Sequence, residues 1–151
     1  MFQVSNYKLQ ENKGFTLIEL LVVVFIVALL ATLVLVNIGG IRAKSRDSRR
    51  VADIKSIQEG LAMYHNNHRE YPDSGGGLIE INGSTDALSQ ALISDGAMRG
   101  VPTDPVNGTL GAITYKYYYQ SLDSGNDYQL EYYLETDSIL GRPQGLNTAT
   151  P

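Results

Sequence analysis

A long apolar segment near the start of the chain limits what this protein can fold into. From Leu20 to Val36 every residue except Thr32 is apolar, and the segment extends to residues 15–38 at its two ends. It is therefore longer than the roughly 20 residues that an α-helix needs to cross a bilayer. We predict a transmembrane helix over residues 15–38, which requires lipid or other apolar helices around it.

One carboxylate interrupts this segment near its N-terminal end. Glu19 is a candidate functional residue, because an ionised side chain in hydrocarbon costs on the order of 2.5–3.5 kcal/mol. No partner for it is evident in the helix itself. If the chain were cut after Gly14, the new α-amino group of Phe15 would lie one helical turn before Glu19 and would neutralise it. In an ordinary secretory signal the apolar region precedes the cleavage site, whereas here the apolar segment follows it. Cleavage after Gly14 would therefore leave the apolar helix in the mature protein.

The start of the chain resembles the type IV pilin superfamily, which includes the pseudopilins of type II secretion and competence systems. The resemblance rests on the run from Lys13 to Leu21, KGFTLIELL, and on the apolar segment and long helical pattern that follow. It implies that a prepilin peptidase removes residues 1–14 as a leader, cleaving between Gly14 and Phe15. It also implies that Phe15 is N-methylated and that Glu19 guides subunit docking during assembly.

The helical pattern continues beyond the apolar segment as an amphipathic half over residues 39–71. Its apolar positions recur at spacings of three and four, which predicts one buried stripe made of Val51, Ile54, Ile57, Leu61 and Tyr64. Gly39 and Gly40 are the weak point, since glycine in a helix interior costs roughly 1 kcal/mol relative to alanine. The pair either provides local helix flexibility during assembly or is simply tolerated in the helix.

A small globular head is predicted over residues 72–140. Alternating residues indicate two strands, Thr114–Ser121 and Tyr128–Glu135, which form a hairpin. A short strand over residues 78–81 precedes a brief helix that ends near Ser94 and is capped by Ser84 or Thr85. A third, edge strand is expected around residues 138–140, and residues 141–151 are predicted to be disordered.

The fold class is therefore α+β: a pilin-like long N-terminal α-helix, transmembrane in its first half, packed on a small C-terminal antiparallel β-sheet. The chain has 151 residues, so the head contains only one small core. No nucleophile, paired-acid or phosphate-loop signature stands out, which argues against an enzyme. The net charge of -4 gives no electrostatic reason to expect nucleic-acid binding.

The turn between the two long strands contains residues that bind Ca²⁺ in other proteins. Asp123, Asn126 and Asp127 carry oxygen ligands, and Asp104 or Asn107 is a further candidate for the same site. The same residue types are what a hairpin turn uses in any case, and this is the simpler interpretation. We therefore predict no metal and keep Ca²⁺ as the alternative.

The basic residues around the apolar segment conflict with the orientation that the resemblance implies. Five follow it and two precede it, which favours a cytoplasmic C-terminal side. The five are Arg42, Lys44, Arg46, Arg49 and Arg50, and the two are Lys8 and Lys13. The resemblance implies the opposite, with the head outside, and we adopt that orientation.

Polymerisation is the predicted function. The resemblance implies a structural subunit that waits in the cytoplasmic membrane as a single-pass protein. An assembly ATPase and a membrane platform protein then add it to a pilus-like filament at the cell surface. The partners are thus identical subunits, the prepilin peptidase, this machinery and membrane lipid. One alternative is a pseudopilin of a secretion or competence system, and another is a membrane-anchored binding module.

Overall fold

A computed structural model describes residues 14–35 and 38–151. Most of the predicted leader, residues 1–13, lies outside the described residues. The chain divides into two units, residues 1–39 and residues 40–151, and each is described by itself.

The first unit contains helix α1, Leu17–Leu35. From Gly14 to Thr32 every residue is exposed, so the described residues of this unit provide no apolar cover for that part of the helix. Thr32 satisfies its hydroxyl inside the helix by donating to the Leu29 carbonyl oxygen at 2.7 Å. Among the helices of residues 14–35 and 38–151, none combines the length and the apolar character that crossing a membrane requires. The predicted span over residues 15–38 therefore stays a prediction.

The second unit is built on helix α2, Ile38–His68, of which residues 40–68 belong to it. The predicted stripe is confirmed: Ile54, Ile57 and Leu61 are fully buried, while Val51 and Tyr64 pack at its margin. The helix ends where Arg69 adopts a left-handed backbone conformation and donates its N–H to the His65 carbonyl oxygen.

A four-stranded antiparallel sheet covers this stripe, with strand order β1-β4-β5-β6. A separate hairpin pairs β2 with β3, and a short helix, α3, follows β1. The bounds are β1 Ile79–Glu80, α3 Ala87–Ser94, β2 Gly108–Leu110, β3 Ile113–Tyr115, β4 Tyr118–Leu122, β5 Asp127–Leu134 and β6 Gly145–Ala149. The α+β class, with a long helix on a small antiparallel sheet, is confirmed.

The core lies between α2, α3 and the inner face of the sheet. Every second residue of β5 is buried, as the alternation predicted. These side chains meet the α2 stripe and two leucines of α3, Leu88 and Leu92. Three buried tyrosines lie on the sheet's inner face, Tyr119 on β4 and Tyr128 and Tyr132 on β5, and buried Tyr117 lies between β3 and β4.

The predicted strand over residues 114–121 is interrupted. It divides between Tyr115 and Tyr118 into β3, which pairs with β2, and β4, which pairs with β1 and β5. No pattern in the sequence predicted β2 as a separate partner. The alternation nevertheless survives the break, because Tyr115, Tyr117 and Tyr119 are all buried.

The predicted cap of α3 was wrong. Asp86 caps the helix, since its carboxylate accepts from the backbone N–H of Ser89 at 2.8 Å. Asn82 bonds the two residues that were expected to cap: its side-chain oxygen accepts from the N–H groups of Ser84 and Thr85.

The predicted disordered tail was also wrong, as was the edge strand near residue 139. That region forms only an isolated bridge between Ile139 and Arg142, and β6 pairs with β5 along its whole length instead. The head therefore extends to residue 149. Asn147, 9% exposed, stabilises the turn before the strand by donating to the carbonyl oxygens of Pro143 and Gly145 at 2.8 and 3.0 Å.

Replacing Asn147 tests whether this tail is ordered. We expect Asn147→Ala in a chain of residues 40–151 to lower the free energy of unfolding by about 1–2 kcal/mol, because the buried Asn147 side chain is lost and two carbonyl groups of the turn lose their donor. Thr148→Ala, on the exposed face of the same strand, is the matched control and is expected to change it by less than about 0.5 kcal/mol. Urea denaturation measures both, and equal effects would contradict an ordered β6.

Candidate assembly site

The predicted cleavage position is accessible on both sides. Gly14 is exposed and has open space around its Cα, and the Phe15 side chain is 88% exposed. Neither residue is part of a helix, since α1 begins at Leu17. A peptide bond that is exposed and outside a helix is one that a peptidase can reach.

Glu19 has a partner that the sequence reasoning missed. Its Oε2 atom accepts from the backbone N–H of Thr16 at 2.9 Å and from the Thr16 hydroxyl at 2.8 Å. The Thr16 hydroxyl oxygen in turn accepts from the Glu19 N–H at 3.3 Å. This reciprocal arrangement is a capping box, in which the residue before the helix and the third helical residue satisfy each other's free N–H groups.

The signal for this cap was present in the sequence as Thr16-Leu17-Ile18-Glu19, a Thr-x-x-Glu pattern before an apolar run. It means that a carboxylate at this position has a local structural role as well as any role in docking. Within the described residues Glu19 forms no ion pair, so its charge remains available to a cation brought close by cleavage or by another subunit.

Gly39 and Gly40 lie within α2 and are exposed. A Cβ atom at either position would meet nothing within 4 Å, so packing does not require glycine there. Their proposed flexibility remains a prediction.

The turn that was the alternative Ca²⁺ site uses its polar residues for its own backbone. A 3₁₀ turn, Asp123–Gly125, joins β4 to β5. The Asp123 carbonyl accepts from both the backbone and the side-chain amide of Asn126, and Asp127 accepts from the Tyr128 N–H. Across residues 14–35 and 38–151 no group of three or more acidic, histidine or cysteine side chains is arranged to hold a metal ion.

Asp104, which was a further candidate for that turn, lies in a buried ionic cluster instead. Its carboxylate receives two hydrogen bonds from Arg50, from Nε at 2.7 Å and from Nη2 at 3.1 Å. Nη1 of Arg50 donates to Asp47 at 2.9 Å and to Glu135 at 2.6 Å. The guanidinium carbon also lies 4.6 Å from the centre of the Tyr115 ring.

Two further groups complete this cluster. Arg46 donates from Nε to Glu135 at 2.7 Å, and Asp47 accepts from the Thr136 N–H at 2.9 Å and from its hydroxyl at 2.7 Å. Burial by itself lowers the pKa of Arg50, but its hydrogen bonds to the carboxylates outweigh burial and raise it. The hydrogen bond from Arg46 is the main reason why the pKa of Glu135 lies below its usual value.

The cluster also reduces the number of basic residues after the apolar segment that can interact with a membrane surface. Arg50 is fully buried and Arg46 is paired with Glu135, so neither is free to interact with a membrane surface. Arg42, Lys44 and Arg49 are the exposed ones of the five. The charge argument against an external head is therefore weaker than the sequence indicated.

A capped apolar helix followed by a helix-on-sheet head defines a pilin-like subunit, and comparisons with known proteins agree. Residues 10–35 match the family described as "Prokaryotic N-terminal methylation motif". A type II secretion system core protein G of Klebsiella michiganensis is 34% identical over 101 residues, which cover 66% of this chain and 71% of the relative.

Two further relatives carry the same name. The protein of Pectobacterium carotovorum subsp. carotovorum is 34% identical over 103 residues, which cover 67% of this chain and 64% of the relative. The protein of Escherichia coli (strain K12) is 31% identical over 97 residues, which cover 63% of this chain and 67% of the relative. A comparison with the solved structures finds no significant match. The chain belongs to the type IV pilin and pseudopilin superfamily.

Removing Arg50 tests how far the head depends on the buried cluster. We expect Arg50→Ala in a chain of residues 40–151 to lower the free energy of unfolding by about 3–5 kcal/mol, because it leaves buried carboxylates without their cation. Arg49→Ala is the matched control. The Arg49 side chain is 66% exposed, and its Nε lies 3.8 Å from Oδ2 of Asp53. We expect this substitution to lower the free energy of unfolding by about 0–1 kcal/mol. Urea denaturation measures both. A stable Arg50→Ala head would contradict the role assigned to the cluster.

Proposed function

We propose that this chain is a prepilin that is cleaved after Gly14, N-methylated at Phe15 and added to a pilin-like filament as a structural subunit. Two kinds of filament fit this proposal: a pilus-like fibre at the cell surface and the pseudopilus of a secretion system. The name that these relatives share, type II secretion system core protein G, supports the second. Filament length and a secretion defect on deletion distinguish the two.

The observation that carries the proposal is the uncovered apolar surface of residues 15–32. Fully burying one Val, Leu, Ile or Phe side chain is worth roughly 1.5–3 kcal/mol, so a run of such residues in water is strongly unfavourable. Lipid supplies the cover before assembly, and the same helices of neighbouring subunits supply it in the filament. Contacts that repeat from one copy to the next without closing generate a filament.

Location and partners follow from this arrangement. We propose that the subunit is anchored in the cytoplasmic membrane with its head outside, and that a prepilin peptidase, a platform protein and an assembly ATPase act on it there. A membrane-anchored binding module would share the anchor but would not polymerise. The presence of this chain in a filament separates these alternatives.

Processing provides the first test of the proposal. We expect the mature protein to begin at Phe15 and to carry a methylated amine, and mass spectrometry of the N-terminal peptide measures this directly. An intact Met1 terminus in assembled material, or a cut within the apolar run, would contradict the proposal. Gly14→Ala serves as a mild control beside a bulky substitution at the same position, which is expected to block cleavage.

The two roles of Glu19 can be separated by one conservative substitution. Glutamine also completes a capping box, so Glu19→Gln retains the helix cap and removes the charge. We expect Glu19→Gln to insert into the membrane normally and to fail in assembly, because the neutral side chain cannot balance the charge of the α-amine that cleavage creates on Phe15. The fraction of subunit in sheared filaments measures assembly.

Thr16→Ala is the complementary control for Glu19. It removes the partner in the capping box and retains the carboxylate, so we expect filaments at close to the normal yield. Normal assembly of Glu19→Gln together with failure of Thr16→Ala would show that the cap, and not the charge, is what assembly requires.

A further inference from the structure

The head carries an open cleft beside the C-terminal end of α2, with a volume of 640 Å³. Tyr64, Tyr71 and the acidic residues Glu70 and Asp73 are among the residues that line it. The Tyr64 ring is stacked on His68 and the Tyr71 ring on His65, with ring centres 4.1 and 4.6 Å apart. The carboxylates are therefore the groups that suit the cleft to an ammonium or guanidinium group.

Specific contacts hold the cleft in shape. The Tyr71 N–H donates to the Gly125 carbonyl oxygen at 2.8 Å, and the Tyr119 hydroxyl donates to the Pro72 carbonyl oxygen at 2.6 Å. Gly125 has a φ of +87°, and a Cβ there would lie 3.3 Å from the Cβ of Glu70. The segment of Glu70 to Asp73 is thus fixed closely against the turn between β4 and β5.

The negative character of the cleft is only partly used inside the head. Asp73 accepts from the Gly75 N–H at 2.9 Å, but Glu70 forms no hydrogen bond or ion pair with any residue of the described ranges. Glu70 is exposed, and its carboxylate adds to the effect of burial in raising the pKa of Tyr64. The cleft therefore has room and charge for a cation from outside the head.

The same helix carries an exposed cation that cannot reach this cleft in its own chain. Lys44 makes no side-chain contact with a charged residue of the described ranges, and it lies 20 residues before Tyr64 on α2. At about 1.5 Å and about 100° per residue, the two positions are roughly 30 Å apart along the helix and on opposite flanks of it.

We propose that the cleft receives Lys44 of a second copy of the chain, whose ammonium group pairs with the carboxylates of Glu70 and Asp73. The inference rests on the proposed function, since subunits anchored in one membrane run parallel. Parallel copies placed side by side with a stagger of roughly 30 Å present Lys44 of one to the cleft of the next. Because donor and acceptor lie on opposite flanks, the contact repeats without closing.

Cysteine cross-linking in assembled filaments tests this contact. The chain has no cysteine, so an engineered pair reports one contact without background. In the full-length chain, assembled by its own machinery, Lys44→Cys with Glu70→Cys is expected to give a ladder of disulfide-linked oligomers. Arg42→Cys with Glu70→Cys is the matched control, because residue 42 lies about 160° further round the helix from residue 44 and is expected to give no ladder.

Charge reversal provides a second test that does not depend on cross-linking. We expect Glu70→Lys to reduce filament yield by roughly tenfold or more, since it places like charges together. Lys44→Glu in the same chain is expected to restore most of that loss. Glu59→Lys, at an exposed position of α2 outside the cleft, is the control and is expected to assemble normally.

The outcomes separate this inference from the proposed function. If the unaltered chain assembles and begins at Phe15, but the Lys44 pair gives no ladder or Glu70→Lys assembles normally, the contact is wrong and the function stands. A ladder of equal strength from the Arg42 pair would also overturn the contact. If the unaltered chain keeps Met1 and forms no filament, both proposals fail.

Discussion

The guanidinium of Arg50 is the constraint on which the head depends. It is fully buried, and it meets carboxylates from three segments: Asp47 on its own helix, Asp104 in the connection after α3, and Glu135 at the end of β5. A buried charge that lacks its partners costs several kcal/mol, so these segments have to be in place together. The same contacts fix the rotation of α2 that turns its apolar stripe towards the sheet.

The capping box at the start of α1 gives Glu19 a local role beside the assembly role that we propose for it. In the uncut chain Glu19 completes the helix start with Thr16. Cleavage after Gly14 would create an ammonium group immediately before Thr16. A carboxylate has two oxygens and about four acceptor positions, so Glu19 is able to keep its cap and also pair with a new amine. The local role and the assembly role are therefore compatible.

A filament of such subunits needs both strength and register, and different parts of the chain supply them. Burial of the apolar helix is a large driving force, but the hydrophobic effect has no direction and does not select one stagger between neighbours. Directional contacts have to do so. We propose two contacts of this kind: one made by the Glu19 carboxylate within the apolar layer, and the pairing of Lys44 with the cleft at the surface of the head.

The predictions that rested on periodic patterns were the accurate ones. The stripe of α2 and the alternation of β5 depend on local geometry, since 3.6 and 2 residues per repeat decide which side chains share a face. Both were predicted with nearly correct bounds. The capping box was equally local, and its Thr-x-x-Glu pattern was present but was not used.

The errors fall where distant segments decide the outcome. Asp104 was a further candidate for the alternative Ca²⁺ site at the β4–β5 turn, and its partner in the structure, Arg50, is 54 residues away along the chain. Residues 145–149 have a polar, glycine-containing sequence with no strand pattern, and they become a strand because β5 offers them an open edge. The sequence alone determined the apolar helix, its processing motif and the faces of the long elements, because each depends on neighbouring residues. Only the tertiary structure decided the buried ionic cluster and the sixth strand, because pairing across the fold satisfies charges and backbone groups that no local pattern can match.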